Sequence, residues 1–168
     1  MTAAGSISIR AMTPEDWPEV RRIYAEGLAT GTASFETEVP EWPEWTAGHL
    51  ADCRLIAERD GKVAGWAALM PVSARACFRG VAEVSVYVGA EARGTGAGRA
   101  LLTALIPASE AAGIWTLWSS IHTDNAASIA LHEQCGFRMI GRRERIALRG
   151  GVWTDTFNME RRSAVAGV

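Results

Sequence analysis

Glu83-Val84-Ser85-Val86-Tyr87-Val88 alternates polar and apolar side chains, and after four intervening residues the chain reads Arg93-Gly94-Thr95-Gly96-Ala97-Gly98-Arg99. Alternation with period two marks a strand. Leu101, Leu102, Leu105 and Ile106 then recur at helical spacing. A strand that passes through Gly-x-Gly-x-Gly into a helix brings backbone N–H groups to the positive helix end, and glycine permits positive φ and close approach to a ligand. Such a loop holds phosphate or pyrophosphate. A P-loop needs Lys followed by Ser or Thr where this chain has Arg99-Ala100. A dinucleotide fold needs an acid about 20 residues on, at the end of the next strand, and none stands near Trp115–Trp118. The pyrophosphate of coenzyme A is the candidate that remains.

Outward from this stretch the chain alternates strands and helices. Ile7 to Arg10 reads as a first strand, and Thr13-Pro14-Glu15-Asp16 starts a helix with a hydroxyl cap, an early proline and acids at the positive dipole end. Trp17, Val20, Tyr24 and Leu28 form its apolar face, with Gly27 and Gly31 loosening or ending it. Residues 30–40 are irregular. A second helix is expected from near Pro43 to Cys53, then two strands, Leu55–Arg59 and Lys62–Met70, joined by the turn Asp60-Gly61. Pro107 inside the glycine-loop helix predicts a kink. A strand over Ile114–Ile121, a helix over Asn125–Cys135 closed by Gly136, and a hairpin of Phe137–Leu148 with Val152–Glu160 complete the chain. The expected architecture is α/β (α+β): a mixed sheet of about seven strands flanked by about four helices, in one domain spanning 1–168 with loose ends near 1–6 and 162–168.

Composition narrows the function classes. With 48% hydrophobic and 21% charged residues the chain is globular, and its 168 residues make one domain. No apolar run reaches the ~18 residues of a membrane span, and the first residues lack a secretory pattern, so a cytoplasmic location without membrane contact is expected. A net charge of −2 gives no general attraction to nucleic acid. Arg138, Arg142, Arg143, Arg145 and Arg149 crowd one segment, but strand alternation spreads them over two faces. Three cysteines without CxxC spacing and three histidines argue against disulfides and metal.

Arg93-Gly94-Thr95-Gly96-Ala97-Gly98 resembles the Arg/Gln-x-x-Gly-x-Gly/Ala motif of the GNAT superfamily of N-acetyltransferases, and Val86-Tyr87-Val88 sits where that family's pantetheine-binding strand lies. Six ordered segments narrow the likeness: 33–38, 74–75, 82–88, 125–133, 136–137 and 151–155 are similar to the phosphinothricin / methionine sulfoximine branch. The resemblance implies a GNAT fold, acetyl-CoA as acetyl donor, and transfer to the α-amino group of a small amino-acid analogue such as phosphinothricin, methionine sulfoximine or methionine sulfone. It also implies a homodimer. The cofactor contacts it implies are Val86, Tyr87, Val88, Arg93, Gly94, Thr95, Gly96, Ala97, Gly98, Arg99, Asn125 and Ser128.

Amine attack on a thioester needs a neutral amine, a polarised carbonyl and a proton for the departing thiolate. An α-amine titrates near about 8, so a base of modest strength suffices. Glu83, just before the pantetheine strand, is the candidate base, and the Val88 N–H is the candidate oxyanion donor. Asn125, Ser128 and His132 form a polar stripe on one helix face, and such a stripe needs a ligand or water to satisfy it. His132 is a second catalytic candidate or else a structural histidine. Thiolate protonation by His132, Tyr87 or water stays open. For substrate, Arg75 offers a bidentate carboxylate contact, Phe35 and Trp153 offer apolar walls or packing, and Ser85 shares a strand face with Glu83. Thr32, Ser34 and Asp155 are weaker candidates. Cys135 ends a helix with nothing spaced to activate it, which favours direct transfer over an acetyl-cysteine route. Two other readings are a protein or peptide N-acetyltransferase, which predicts an open and often acidic groove, and a non-catalytic acyl-CoA-binding module.

Overall fold

The computed structural model describes residues 5–168, so four of the residues expected to form a loose N-terminal stretch lie outside it. Seven strands form one sheet: β1 Ile7–Ala11, β2 Leu55–Arg59, β3 Lys62–Pro71, β4 Val81–Val88, β5 Thr116–His122, β6 Arg138–Arg149 and β7 Val152–Arg162. Their order is β1-β2-β3-β4-β5-β7-β6. Every neighbouring pair is antiparallel except β4 and β5. That pair is joined through helix α3 (Ala97–Ala111), the crossover a parallel connection requires. Helices α1 (Trp17–Ala29), α2 (Trp42–Gly48) and α4 (Ala126–Gln134) complete the set, so the expected seven strands and four helices are present.

Each face of the sheet has its own core. Leu101, Leu102 and Leu105 of α3 are fully buried over Ala67, Leu69, Ala82 and Leu117. On the other face Val20, Ile23, Tyr24 and Leu28 of α1 pack with Trp45, Ile56, Trp66 and Ala68. Burial of each such aliphatic side chain is worth ~1.5–3 kcal/mol, so the two layers fix the sheet between them.

Local chemistry sets the ends of the elements. The Thr13 N–H donates to the Asp16 carboxylate at 2.8 Å, and Arg10 donates to both Asp16 oxygens at 2.8 Å. Asp16 is 8% exposed, and the Arg10 guanidinium holds its carboxyl below the usual carboxylate range. A depressed carboxyl contributes stability that is present above the ordinary Asp pKa and lost as pH falls through the folded value. Asp16→Asn is therefore expected to cost ~1–3 kcal/mol at pH 7. Denaturant unfolding of both proteins should show that difference narrowing below about pH 4.

Three expectations need correction. The second helix stops at Gly48 and does not reach Cys53, because His49 is extended and Arg54 collects the free carbonyls of Thr46, His49 and Leu50. Cys53 itself has a φ of 66°, outside helical space. Pro107 lies inside α3 as expected, and the carbonyl it leaves without a partner belongs to exposed Thr103, where solvent can satisfy it. Gly27 neither loosens nor ends α1: a Cβ there would lie 2.6 Å from the Tyr87 ring, so this glycine makes room for that side chain. At the C-terminus, Arg162 donates to the carbonyls of Trp115, Ser163, Ala166 and Gly167 and ties down the tail expected to be loose.

The arginines of the β6–β7 hairpin are occupied. Arg138 pairs with Glu160 and Arg142 with Asp155, while Arg143 and Arg145 lie over the Trp118 and Trp153 rings.

Candidate active site

β4 keeps its ladder with β3 from Ala82 to Val88, but pairs with β5 only over Val81–Glu83. Beyond Glu83 and Trp118 the two parallel strands separate, and the β5-facing side of β4 has no strand partner. A cleft opens there. Register partners share a sheet face, so Glu83, Ser85 and Tyr87 of β4 and Trp118, Ser120 and His122 of β5 point to the side covered by α1 and the 30–40 segment. Val84 and Leu117 point to the α3 side.

The cleft has two connected ends. One, a cavity of about 270 Å³, is lined by Glu83, Ser85, His122, His132, Phe35 and neighbouring residues. The other, about 510 Å³, runs past Val86, Tyr87, Val88, Arg93, Gly94 and Gly96. Both ends touch Thr32, Ala33, Asn125 and Ser128.

Glu83 sits at the vertex, where the strands part. Burial pushes its carboxyl up from the usual range, and Arg143 opposes this in part. A raised carboxyl is a stronger base once ionised. His132 is 3% exposed on α4, with its ring edge-on to Phe137. Its Nδ1 faces the Ser128 carbonyl at 2.7 Å and so carries the proton, which leaves Nε2 without hydrogen, buried and unpartnered among the described residues. Burial lowers its pKa. His132 is thus neutral and built to accept. Tyr87 stacks on Trp66 at 4.8 Å and 15°, with Tyr24 at 4.8 Å. Burial holds its hydroxyl protonated far above neutrality.

The second end fits a coenzyme A pyrophosphate. Gly94 and Gly96 have φ values of 72° and 92°, a backbone that opens N–H groups toward the N-terminus of α3. A Cβ on Gly94 would meet no atom of the described residues within 4 Å, so the loop is open at that point. Gly98 faces Leu131 and Val88, where a Cβ would sit at 3.3 and 3.4 Å. Arg93 and Arg99 line the same groove. Asn125 caps α4 by accepting from the Ser128 N–H at 3.1 Å and donates to the Thr32 carbonyl at 3.3 Å, joining helix to loop.

Several sequence-derived candidates lie elsewhere. Arg75 sits on an exposed turn with its guanidinium 5.7 Å from the Phe78 ring, and it lines neither end of the cleft. Trp153 is half exposed on β7 beneath Arg145, also outside the cleft. Thr95 turns back to the Ala92 carbonyl at 2.6 Å, and Ala97 is buried in the core. Asp155 accepts from Arg142 and from the Arg145 N–H. Conversely, His49, Ser119, Ser120 and His122 line the cleft without having been singled out. For Ser120 and His122 only half of the signal is local: counting by two along β5 puts them on the face of Trp118, but the register that sets Trp118 beside Glu83 comes from the fold.

The chain belongs to the acetyltransferase (GNAT) family, whose model matches residues 11–137. It is an N-acetyltransferase with acetyl-CoA as its acetyl donor. Among its relatives, a phosphinothricin N-acetyltransferase of Alcaligenes faecalis is 36% identical over 160 residues, covering 92% of this chain and 81% of that one. An L-methionine sulfoximine/L-methionine sulfone acetyltransferase of Pseudomonas aeruginosa is 33% identical over 161 residues, covering 92% and 94%. A solved GNAT superfamily phosphinothricin acetyltransferase of Sinorhizobium meliloti, in complex with AcCoA, superposes with a TM-score of 0.85 at 28% identity, covering 96% of this chain and 90% of that one.

Proposed function

We propose that the protein acetylates the α-amino group of a small amino-acid analogue of the phosphinothricin, methionine sulfoximine or methionine sulfone type, by direct attack in a ternary complex. The observation that carries this reading is the small cavity at the vertex of the splayed strands, with the half-buried Glu83 carboxyl, its pKa raised by burial, on its wall. The relatives' substrates support the choice of acceptor.

When bound, acetyl-CoA supplies the thioester. The 93–99 loop and the α3 N-terminus hold its pyrophosphate, the open edge of β4 at Val86–Val88 receives its pantetheine arm, and Asn125 and Ser128 close the groove from α4. Glu83 takes a proton from the acceptor ammonium, directly or through water. The Val88 N–H serves as donor to the developing oxyanion. Burial raises the Tyr87 pKa and makes that hydroxyl a poor proton donor, so the proton for the departing thiolate comes from the newly acylated nitrogen or from water. The bare Nε2 of His132 accepts a hydrogen bond, and a role as acid would require a charge that its burial opposes.

On the acceptor side, Phe35 and Ser85 line the cavity. Arg75 and Trp153 are proposed to reach substrate only if assembly brings them to a cleft. A homodimer through the β6–β7 hairpin suits the exposed Met139, Ile140, Ile146, Leu148, Val152 and Trp153, and a cytoplasmic location agrees with the chain's free cysteines.

A second reading, peptide acetylation, is favoured by one observation. An open groove of about 820 Å³, lined by Glu36, Glu38, Glu41 and Glu44, adjoins the cavity through Tyr24, His49 and Met70. Initial velocities with acetyl-CoA and methionine sulfone both varied test the proposal. Intersecting lines are expected; parallel lines with acetyl trapped on Cys135 contradict direct transfer.

A further inference from the structure

None of the roles assigned so far involves His122. It is the last residue of β5, four past Trp118, beyond the point where β5 leaves β4, and it lines the cavity together with Glu83 and Tyr87. The ring is 7% exposed and lies against Phe35 at 4.3 Å and 29°. Its Nε2 is fully buried and has no partner among the described residues. A buried ring nitrogen of this kind is ordinarily matched by protein, water or ligand, and the His122 side chain lines the cavity.

The surroundings say what kind of atom. Phe35 follows Ser34, whose carbonyl accepts from Arg149 Nη1 at 3.1 Å, so a β6 guanidinium anchors the segment that covers the ring. Its positive charge acts on His122, as does the negative charge of Asp124 in the opposite sense, while burial is the largest influence and keeps the imidazole neutral. A neutral imidazole donates one N–H, and a nearby guanidinium favours an oxygen that carries negative charge. Along β5, four residues span ~13 Å. Glu83 at the vertex and His122 at the end of β5 therefore line separate parts of one cavity, with side chains extending into the space between them.

We propose that His122 is a specificity-determining residue that donates a ring N–H to an oxygen-bearing group of the acceptor, with Phe35 fixing the ring, while Glu83 faces the amine. This rests on the amino-acid reading above. The oxygen belongs either to the α-carboxylate or to the side chain, and the chemistry at His122 is the same for both.

Kinetics of His122→Phe and His122→Gln with three acceptors tests it: methionine sulfone, its carboxamide, and norleucine, which lacks the side-chain oxygens. His122→Phe keeps the stacked ring and removes the donor. It is expected to raise KM for methionine sulfone ~10-fold or more, the scale of a lost hydrogen bond to a charged or strongly polar group. The acetyl-CoA KM and kcat should stay within about threefold, since uniform binding alone is lost. His122→Gln should recover part of the loss. Whichever of the other two acceptors has a KM indifferent to His122→Phe identifies the oxygen that is contacted. An unchanged KM for methionine sulfone, or an equal rise for all three, overturns the contact and reduces the ring to packing. If the unsubstituted enzyme acetylates none of the three but does acetylate a peptide, the amino-acid reading fails first and takes this one with it. With three histidines in the chain, ring nitrogen resonances give a second readout. Methionine sulfone should move the His122 signal without turnover.

Discussion

Glu83→Gln is expected to lower kcat by ~10²-fold or more, the usual scale for a lost general base. Glutamine keeps the shape of the side chain and its place at the vertex of β4 and β5, so substrate binding should change little. The pH profile carries the sharper information. Burial raises the Glu83 carboxyl above its ordinary range. The carboxylate, the basic form, therefore accumulates only as pH rises through that raised value, and kcat/KM should climb along an acid limb displaced above the ordinary Glu value of ~4.3. In Glu83→Gln that limb should vanish. His132 is the control. Burial moves its pKa in the opposite direction, downward, and His132→Asn should leave the limb in place. A limb that survives in Glu83→Gln and moves in His132→Asn would exchange the two roles.

Gly96→Val is expected to weaken coenzyme A binding by ~10- to 100-fold. Space is not the obstacle, since the nearest atom to a Cβ at Gly96 is Ile7 Cδ1 at 4.0 Å. The backbone is. At a φ of 92° a β-branched residue is strained by at least the ~1–2 kcal/mol of the left-handed region, and the loop relieves it by turning peptide N–H groups away from the pyrophosphate. Titration calorimetry with coenzyme A reads this without catalysis. A melting temperature close to the parent's would separate the loss from unfolding. Unaltered affinity would mean that the loop's positive-φ conformation does not form the phosphate site.

These two residues were legible before any coordinates because their signals are local. Alternation along 83–88 and the glycines of 94–98 each need only a few adjacent residues to be read, and the strand–loop–helix unit follows from them. The long-range features were not legible. Gly27 looks like a helix weakener until Tyr87 is seen lying against it. The second helix loses its last turn to Arg54, whose side chain takes the carbonyls a longer helix would have used. Arg75 and Trp153 have the right chemistry for a substrate wall, yet their elements carry them outside the cleft of the single chain. His122 was overlooked because its meaning depends on where β4 and β5 separate. That point is set by tertiary pairing and leaves no mark on the local pattern. The side of the cleft that holds the donor takes most of its lining from one contiguous stretch, 86–99, with Asn125 and Ser128 added from α4; the side that holds the acceptor is assembled from five elements and a loop. That is why the first reads from sequence and the second does not.

The most direct test of the account is the product itself. The enzyme is incubated with acetyl-CoA and either methionine sulfone, phosphinothricin or an alanine-terminated peptide; free thiol is measured, and mass spectrometry locates the acetyl group. One acetyl on the α-nitrogen of the amino-acid analogues, with thiol released in equal amount and the peptide left nearly untouched, is the predicted result. Efficient acetylation of the peptide with none of either analogue would contradict it, and would assign the acidic groove beside the cavity to the true acceptor.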